Sequence, residues 1–245
     1  MKRILFLTFC VALFALVSRA QDLSYLQGIQ YKIDGALGQA FTSGNTTGLD
    51  SLLSTLKALQ PQNNMVKQWT AYALMNKSLY LMRAQSTELG EVVREGIALL
   101  EGLDKKNSED YALLGGLQSL ATSTLQGMQA GVMAGKATEN ADKARQLDST
   151  NLRAWYVLGS LDFYTPAMYG GGKKAEGYLL KGLACKDQSL PNPYLPSWGR
   201  EQIYVLLLTL YQQKGDMAKA EAILNEAKAA FPHNPMWAHY EEREK

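Results

Sequence analysis

Apolar residues recur every three or four positions along most of this chain. Leucines at 49, 52, 53, 56 and 59 mark one face of a helix. The segments at 65–82, 88–103, 202–213 and 217–231 repeat that spacing with residues of good helix propensity. No period-two run bounded by turn signals interrupts them. Breaks fall at Gly44-Asn45, Gln60-Pro61, Lys105–Asn107, Gly170–Gly172, Lys186–Arg200, Gly215-Asp216 and Pro232–Asn234. The pattern predicts an all-α chain of short antiparallel helices.

A run of such helices raises the question of an internal repeat. The last helical pair carries Tyr204, Leu207, Leu208, Tyr211, Gly215, Ala220, Leu224, Ala227 and Pro232. Small Ala220 and Ala227 let two helices approach closely, Gly215 ends the first helix and Pro232 stops the second. An earlier unit matches through Trp155, Leu158, Gly159, Ala175, Leu179 and Gly182, preceded by Ala137, Ala141 and Ala144. These offsets resemble the tetratricopeptide repeat, a helix–turn–helix unit of about 34 residues. The resemblance is strong over 137–235, degenerate over 63–136, and rests on helical character alone over 22–62. It implies a tetratricopeptide-like α-α superhelix of about five antiparallel helix pairs, forming a single domain over 21–245.

Two departures from the period stand out. Trp155 and Tyr204 are 49 positions apart, against the repeat's period of roughly 34. A shorter insertion lies between Gly159 and Ala175, around the glycines of "FYTPAMYGGGKKA". A longer one, 186–200, contains Pro191, Pro193 and Pro196, which forbid regular helix and favour an extended, ordered segment. Tyr194 and Trp198 are expected to pin it to the helices. Together, "FYTPAMYGGGKKA" and "PNPYLPSWGREQ" resemble a subgroup of bacterial secreted repeat proteins with a Pro-x-x-aromatic-Gly-Gly turn. That resemblance brings no assigned reaction. It is loosely similar to repeat proteins that accompany periplasmic solute transporters.

The N-terminus changes the picture of charge and location. Lys2 and Arg3 precede an apolar stretch from Ile4 to Val17, and Ser18 and Ala20 sit three and one before a cut after Ala20. The stretch is short for a membrane span, so residues 1–20 are expected to be a cleaved secretory signal. The product is then periplasmic or secreted, in a Gram-negative bacterium by the resemblance, with no stable membrane span. The whole chain has 25 basic and 23 acidic residues; without Lys2, Arg3 and Arg19 the net charge falls from +2 to −1. No basic surface is left to displace counterions from phosphates, so nucleic acid is not expected as a partner. Cys185 is then the sole cysteine, which rules out an intrachain disulfide.

The candidate chemistry is sparse. "GGGKKA" lacks the Ser or Thr and the preceding strand of a phosphate loop, and "GVMAGKA" at 131–137 has the wrong glycine spacing. His233 and His239 flank Pro235 and are expected to be a turn residue and a polar helix position, not a metal pair. No cofactor, metal or catalytic residue is expected, and the chain reads as a binder and not an enzyme. In repeat geometry the first helix of each pair lines the concave face. That places Arg153, Tyr156, Phe163 and Tyr164 from one helix, and Gln202, Thr209 and Gln212 from another, in a groove. Such a wall suits an extended peptide or a polar small molecule. The expected function is an exported scaffold that captures a protein or peptide partner, with 186–200 modulating the groove. The alternative is a small-molecule or lipid-binding protein serving an envelope transporter, which a pocket enclosed by Tyr156, Tyr164 and the 186–200 loop favours.

Overall fold

A computed structural model describes residues 23–186 and 192–242. The expected signal at 1–20 lies outside the described residues, as do 187–191 of the longer insertion. After a 3-10 turn at Ser24–Leu26 come eleven helices: α1 (Ile29–Ser43), α2 (Thr47–Ala58), α3 (Asn64–Arg83), α4 (Leu89–Glu101), α5 (Ser108–Thr122), α6 (Gly127–Leu147), α7 (Leu152–Tyr164), α8 (Ala175–Ala184), α9 (Arg200–Lys214), α10 (Met217–Ala230) and α11 (Met236–Glu242). The described residues contain no strand.

Local chemistry sets many of the helix ends. Asn63 accepts from Val66 N, Asn107 and Asp110 form a reciprocal capping box, Asn151 accepts from Arg153 N, and Asp216 accepts from Lys219 N. Each such cap is worth about 1 kcal/mol. Gly44 and Gly215 close α1 and α9 in the left-handed conformation.

Successive helices pair as α1/α2, α3/α4, α5/α6, α7/α8 and α9/α10, and α11 closes the end against α10. Each odd-numbered helix from α1 to α9 also packs on the next odd one in that series, so these helices form an inner layer and the even ones an outer layer. This is a tetratricopeptide-like α-α superhelix of five pairs. Small residues set the crossings, as the repeat spacing predicts. A Cβ on Gly115 would lie 3.0 Å from the Ala137 carbonyl oxygen, opposite fully buried Ala137 and Ala141, while Ala144 packs with Ala112 and Ala154. One apolar core runs from α1 to α7, and a second joins α7 to α11 through Leu152, Leu207, Leu224 and Trp237.

The two insertions meet this stack differently: Trp198 of the longer one is buried, whereas Met168 and Tyr169 of the shorter one are exposed. The shorter one forms the α7–α8 turn, with a 3-10 segment at Ala167–Tyr169 and left-handed Gly170 and Gly172. Lys173 and Lys174 precede the following helix, which begins at Ala175. Asp162 of α7 supplies the reason: its Oδ2 accepts from Lys174 N and Ala175 N at 2.7 and 2.8 Å and caps α8 at Ala175. The described part of the longer insertion, 192–199, runs over the inner layer from the start of α1, where Gly28 N donates to Pro193 O, to α7, where Trp198 and Gly199 meet Arg153.

Candidate functional site

The segment 192–199 is tied at both ends of its path. Gly28 N donates to Pro193 O at 3.2 Å, and Ser197 N donates to Gln30 Oε1 at 2.7 Å. Both acceptor–donor pairs join residues remote in sequence, so the strap fixes the first helix relative to the ninth. At its C-terminal end Gly199 takes φ 110°, where a Cβ would sit 3.2 Å from Arg153 Cγ. A side chain there is disfavoured twice, by conformation and by contact.

Trp198 is the strap's anchor. Its ring is 6% exposed, stacks on Tyr72 of α3 at 5.9 Å, and meets Tyr156 of α7 edge-on at 6.1 Å. Its carbonyl accepts from Arg153 Nη1 at 3.2 Å, and the Arg153 guanidinium lies over its ring. Arg153 in turn makes a bidentate pair with Glu109 of α5, through Nε to Oε2 and Nη2 to Oε1. The arginine side chain is fully buried and the glutamate nearly so. Desolvating two charges is costly, and it is offset here by two charge-assisted bonds and a backbone acceptor.

Between the strap and the inner layer lies a partly enclosed concavity with a cavity volume of about 80 Å³. From α3 it takes Tyr72, Met75, Asn76 and Leu79; from α5, Gly116, Ser119 and Leu120. Tyr156, Val157 and Ser160 of α7, Trp198 and Gln202 complete the wall. Gly116 leaves room because it has no side chain: a Cβ there would meet Met75 Sδ at 3.5 Å. No lining residue carries a formal charge. Burial raises the Tyr72 phenol well above its ordinary pKa, reinforced by Asp34, and burial lifts Tyr156 to about 12. Both stay protonated at neutral pH. The pocket therefore offers aromatic faces, aliphatic surface and neutral hydrogen-bonding groups.

Behind the wall, Tyr72 Oη donates to Asp34 Oδ1 at 2.7 Å, and Gln30 Nε2 donates to Asp34 Oδ2 at 3.1 Å. The same Gln30 receives the strap through Ser197. Burial raises the Asp34 carboxyl despite these bonds, and it also raises Glu201, whose Oε1 accepts from Asn234.

The residues predicted for the groove are distributed unevenly. Tyr156 and Gln202 line the pocket. Arg153 does not reach the concave surface: its side chain is 0% exposed and holds the strap from behind. Its assignment as a contact residue is therefore corrected to a supporting one. Phe163 is half-buried and meets Tyr164 edge-on at 4.9 Å, while Tyr164 is 69% exposed outside the pocket. Thr209 Oγ1 donates to Val205 O and lies 3.2 Å from Tyr240 Oη of α11. The Gln212 amide atoms are buried without a hydrogen-bond partner among the described residues.

Tyr72, Asn76, Gly116 and the Glu109–Arg153 pair were not anticipated from the sequence. One signal was present: Trp69 to Leu74 is an uncharged run, buried throughout. A helix buried on more than one side must be covered on its inner face as well.

No family model and no curated protein matches the sequence. Among solved structures, the HusA haemophore from Porphyromonas gingivalis is similar over 74% of this chain and 92% of that one, with TM-score 0.58 and 22% identity. TTC0263, a thermophilic TPR protein of Thermus thermophilus, is similar over 88% of this chain and 98% of its own, with TM-score 0.61 and 16% identity. At these identities the likeness is one of fold, and it agrees with the helix pairing described above.

Proposed function

We propose that the protein is an exported, non-catalytic carrier that holds a compact, largely apolar, ring-bearing molecule in the pocket beneath Trp198. The observation that carries this reading is the strap. Trp198 crosses the inner layer and converts an open groove into a concavity lined by Tyr72, Tyr156 and aliphatic side chains. The enclosed part of the concavity, about 80 Å³, is smaller than the roughly 300–1,000 Å³ of typical small-molecule sites, so a ring compound binds with part of it in the open mouth or with the strap displaced outward. Aromatic walls favour offset or edge-on contact with a flat ring. Asn76, Ser119, Ser160 and Gln202 supply neutral polar contacts that orient it.

The absence of a lining carboxylate, lysine or histidine from this pocket supports binding without catalysis. Two phenols held protonated make poor general bases at neutral pH. The haemophore likeness supports a small ligand and makes a porphyrin one reasonable probe. A long-chain fatty acid probes the lipid alternative. The secreted bacterial subgroup suggested by the Pro-x-x-Tyr-Gly-Gly-Gly turn is compatible with an envelope carrier. Capture of a protein segment is the second reading, favoured by exposed Tyr164 beyond the strap.

Calorimetric titration against a metal-free porphyrin, haem, a fatty acid and an unrelated extended peptide distinguishes these readings. The proposal expects saturable one-to-one binding of a ring compound and none of the peptide. Peptide binding with no response to ring compounds would overturn it.

A further inference from the structure

We infer that the α7–α8 turn is a contact for anionic membrane surface, with Met168 and Tyr169 entering the interface and Lys173 and Lys174 meeting the headgroups. The inference stands apart from the pocket and uses none of its residues.

The turn is built to project. Gly172 N donates to Asp162 O at 2.7 Å, Tyr169 N donates to Pro166 O at 2.8 Å, and Asp162 Oδ2 holds Lys174 N and Ala175 N. Gly171 is packed so tightly that a Cβ would fall 1.9 Å from Thr165 O. Yet this fixed backbone leaves Met168 82% and Tyr169 74% exposed. This apolar pair, held in water by a well-bonded turn, is left largely uncovered by the described residues.

Charge and shape select the partner. Lys173 and Lys174 follow directly and are both exposed. The carboxylates beside them are already engaged: Asp162 by backbone N–H groups, and Glu176 by Lys214, Lys219 and Tyr211. Among the described residues neither lysine forms an ion pair. The tip is small and convex, its two apolar side chains presenting on the order of 300 Å², whereas a standard protein interface needs roughly 800 Å² per partner. A soft anionic surface accepts such a tip: tyrosine favours the headgroup level, and each nearby lysine strengthens attachment.

The experiment uses the full chain carrying Tyr169→Trp, with the parent spectrum subtracted. Vesicles are phosphatidylcholine alone or with about one-third phosphatidylglycerol as the anionic lipid. The expected result is a blue-shifted tip emission with anionic vesicles and quenching by brominated acyl chains. Adding Lys173→Glu and Lys174→Glu should weaken the apparent affinity at least about tenfold at unchanged thermal midpoint. The apolar segment at 4–17 is present in every variant, so attachment through it alone leaves the tip emission indifferent to the lysines. Tip emission unaffected by anionic vesicles, or affected equally with and without the two lysines, would overturn the inference.

Discussion

The two insertions are close neighbours in sequence, and each carries proline, glycine and exposed-looking aromatics. The strap at 192–199 turns inward, where Trp198 is 6% exposed; the α7–α8 turn points outward, where Tyr169 is 74% exposed. What separates them is the supply of partners. The strap meets Tyr72, Tyr156, Gln30 and a buried arginine that offers its carbonyl a donor. The turn folds on its own backbone and one aspartate, and the described residues leave its apolar side chains largely uncovered. An insertion's composition therefore predicts that it is ordered, and the surrounding helices decide which way it faces.

The largest expected effect tests the inward half. Arg153→Ala leaves Glu109 poorly compensated and frees the Trp198 carbonyl, so stability should fall by about 3–5 kcal/mol. Combining Arg153→Met with Glu109→Leu removes both charges and should recover most of that loss in chemical denaturation, while binding in the pocket stays weakened because the strap has lost its donor. Recovery of binding along with stability would show that Arg153 has no part in positioning Trp198. On the outward turn, Gly171→Ala drives a methyl into the Thr165 carbonyl and should cost roughly 1–3 kcal/mol. Gly177→Ala, with open space around it in α8, should instead stabilise by about 0.5–1 kcal/mol. Equal melting of the two alanine variants would mean that the turn is looser than described.

A smaller effect separates the regions by pH. Asp34, tied to the strap through Gln30, has a raised pKa, so its contribution favours the fold below the ordinary carboxylate range and is lost as pH rises through that raised value. Glu176, beside the turn, is lowered to about 2, chiefly by its bond from Lys214, with Lys219 and Tyr211 adding to it. Its contribution is present above its ordinary value of about 4.3 and is lost as pH falls towards 2. Screening at this partly exposed site reduces it to the order of 1 kcal/mol. Against wild type, Asp34→Asn should therefore gain relative stability as pH rises from acid, and Glu176→Gln should lose its deficit as pH falls. Parallel pH profiles for both variants would contradict the assigned environments.

The helix pairs were legible because their spacing and their small crossing residues, such as Ala220 and Gly159, are local properties of the chain. Tyr156 and Gln202 were legible as inner-face positions once the repeat register was set. Arg153 was misplaced because an arginine on an inner helix reads as a contact residue until Glu109, 44 positions earlier, is seen to neutralise it. Tyr72 and Gly116 come from the region where the repeat signature is degenerate, so no register singled them out. The strap's path depends on pairing residue 197 with residue 30, a contact that no local pattern encodes.

In the proposed carrier, Trp198, drawn inward, makes a binding site from the concave face. Calorimetric titration of the ring compound that binds wild type tests it most directly when repeated on Gly116→Leu, which fills the pocket from α5, and on Trp198→Ala, which removes its roof. Binding should be lost in the first and weakened at least about tenfold in the second, a loss of about 1.4 kcal/mol or more. Undiminished affinity in a folded Gly116→Leu protein would place the ligand elsewhere and contradict it.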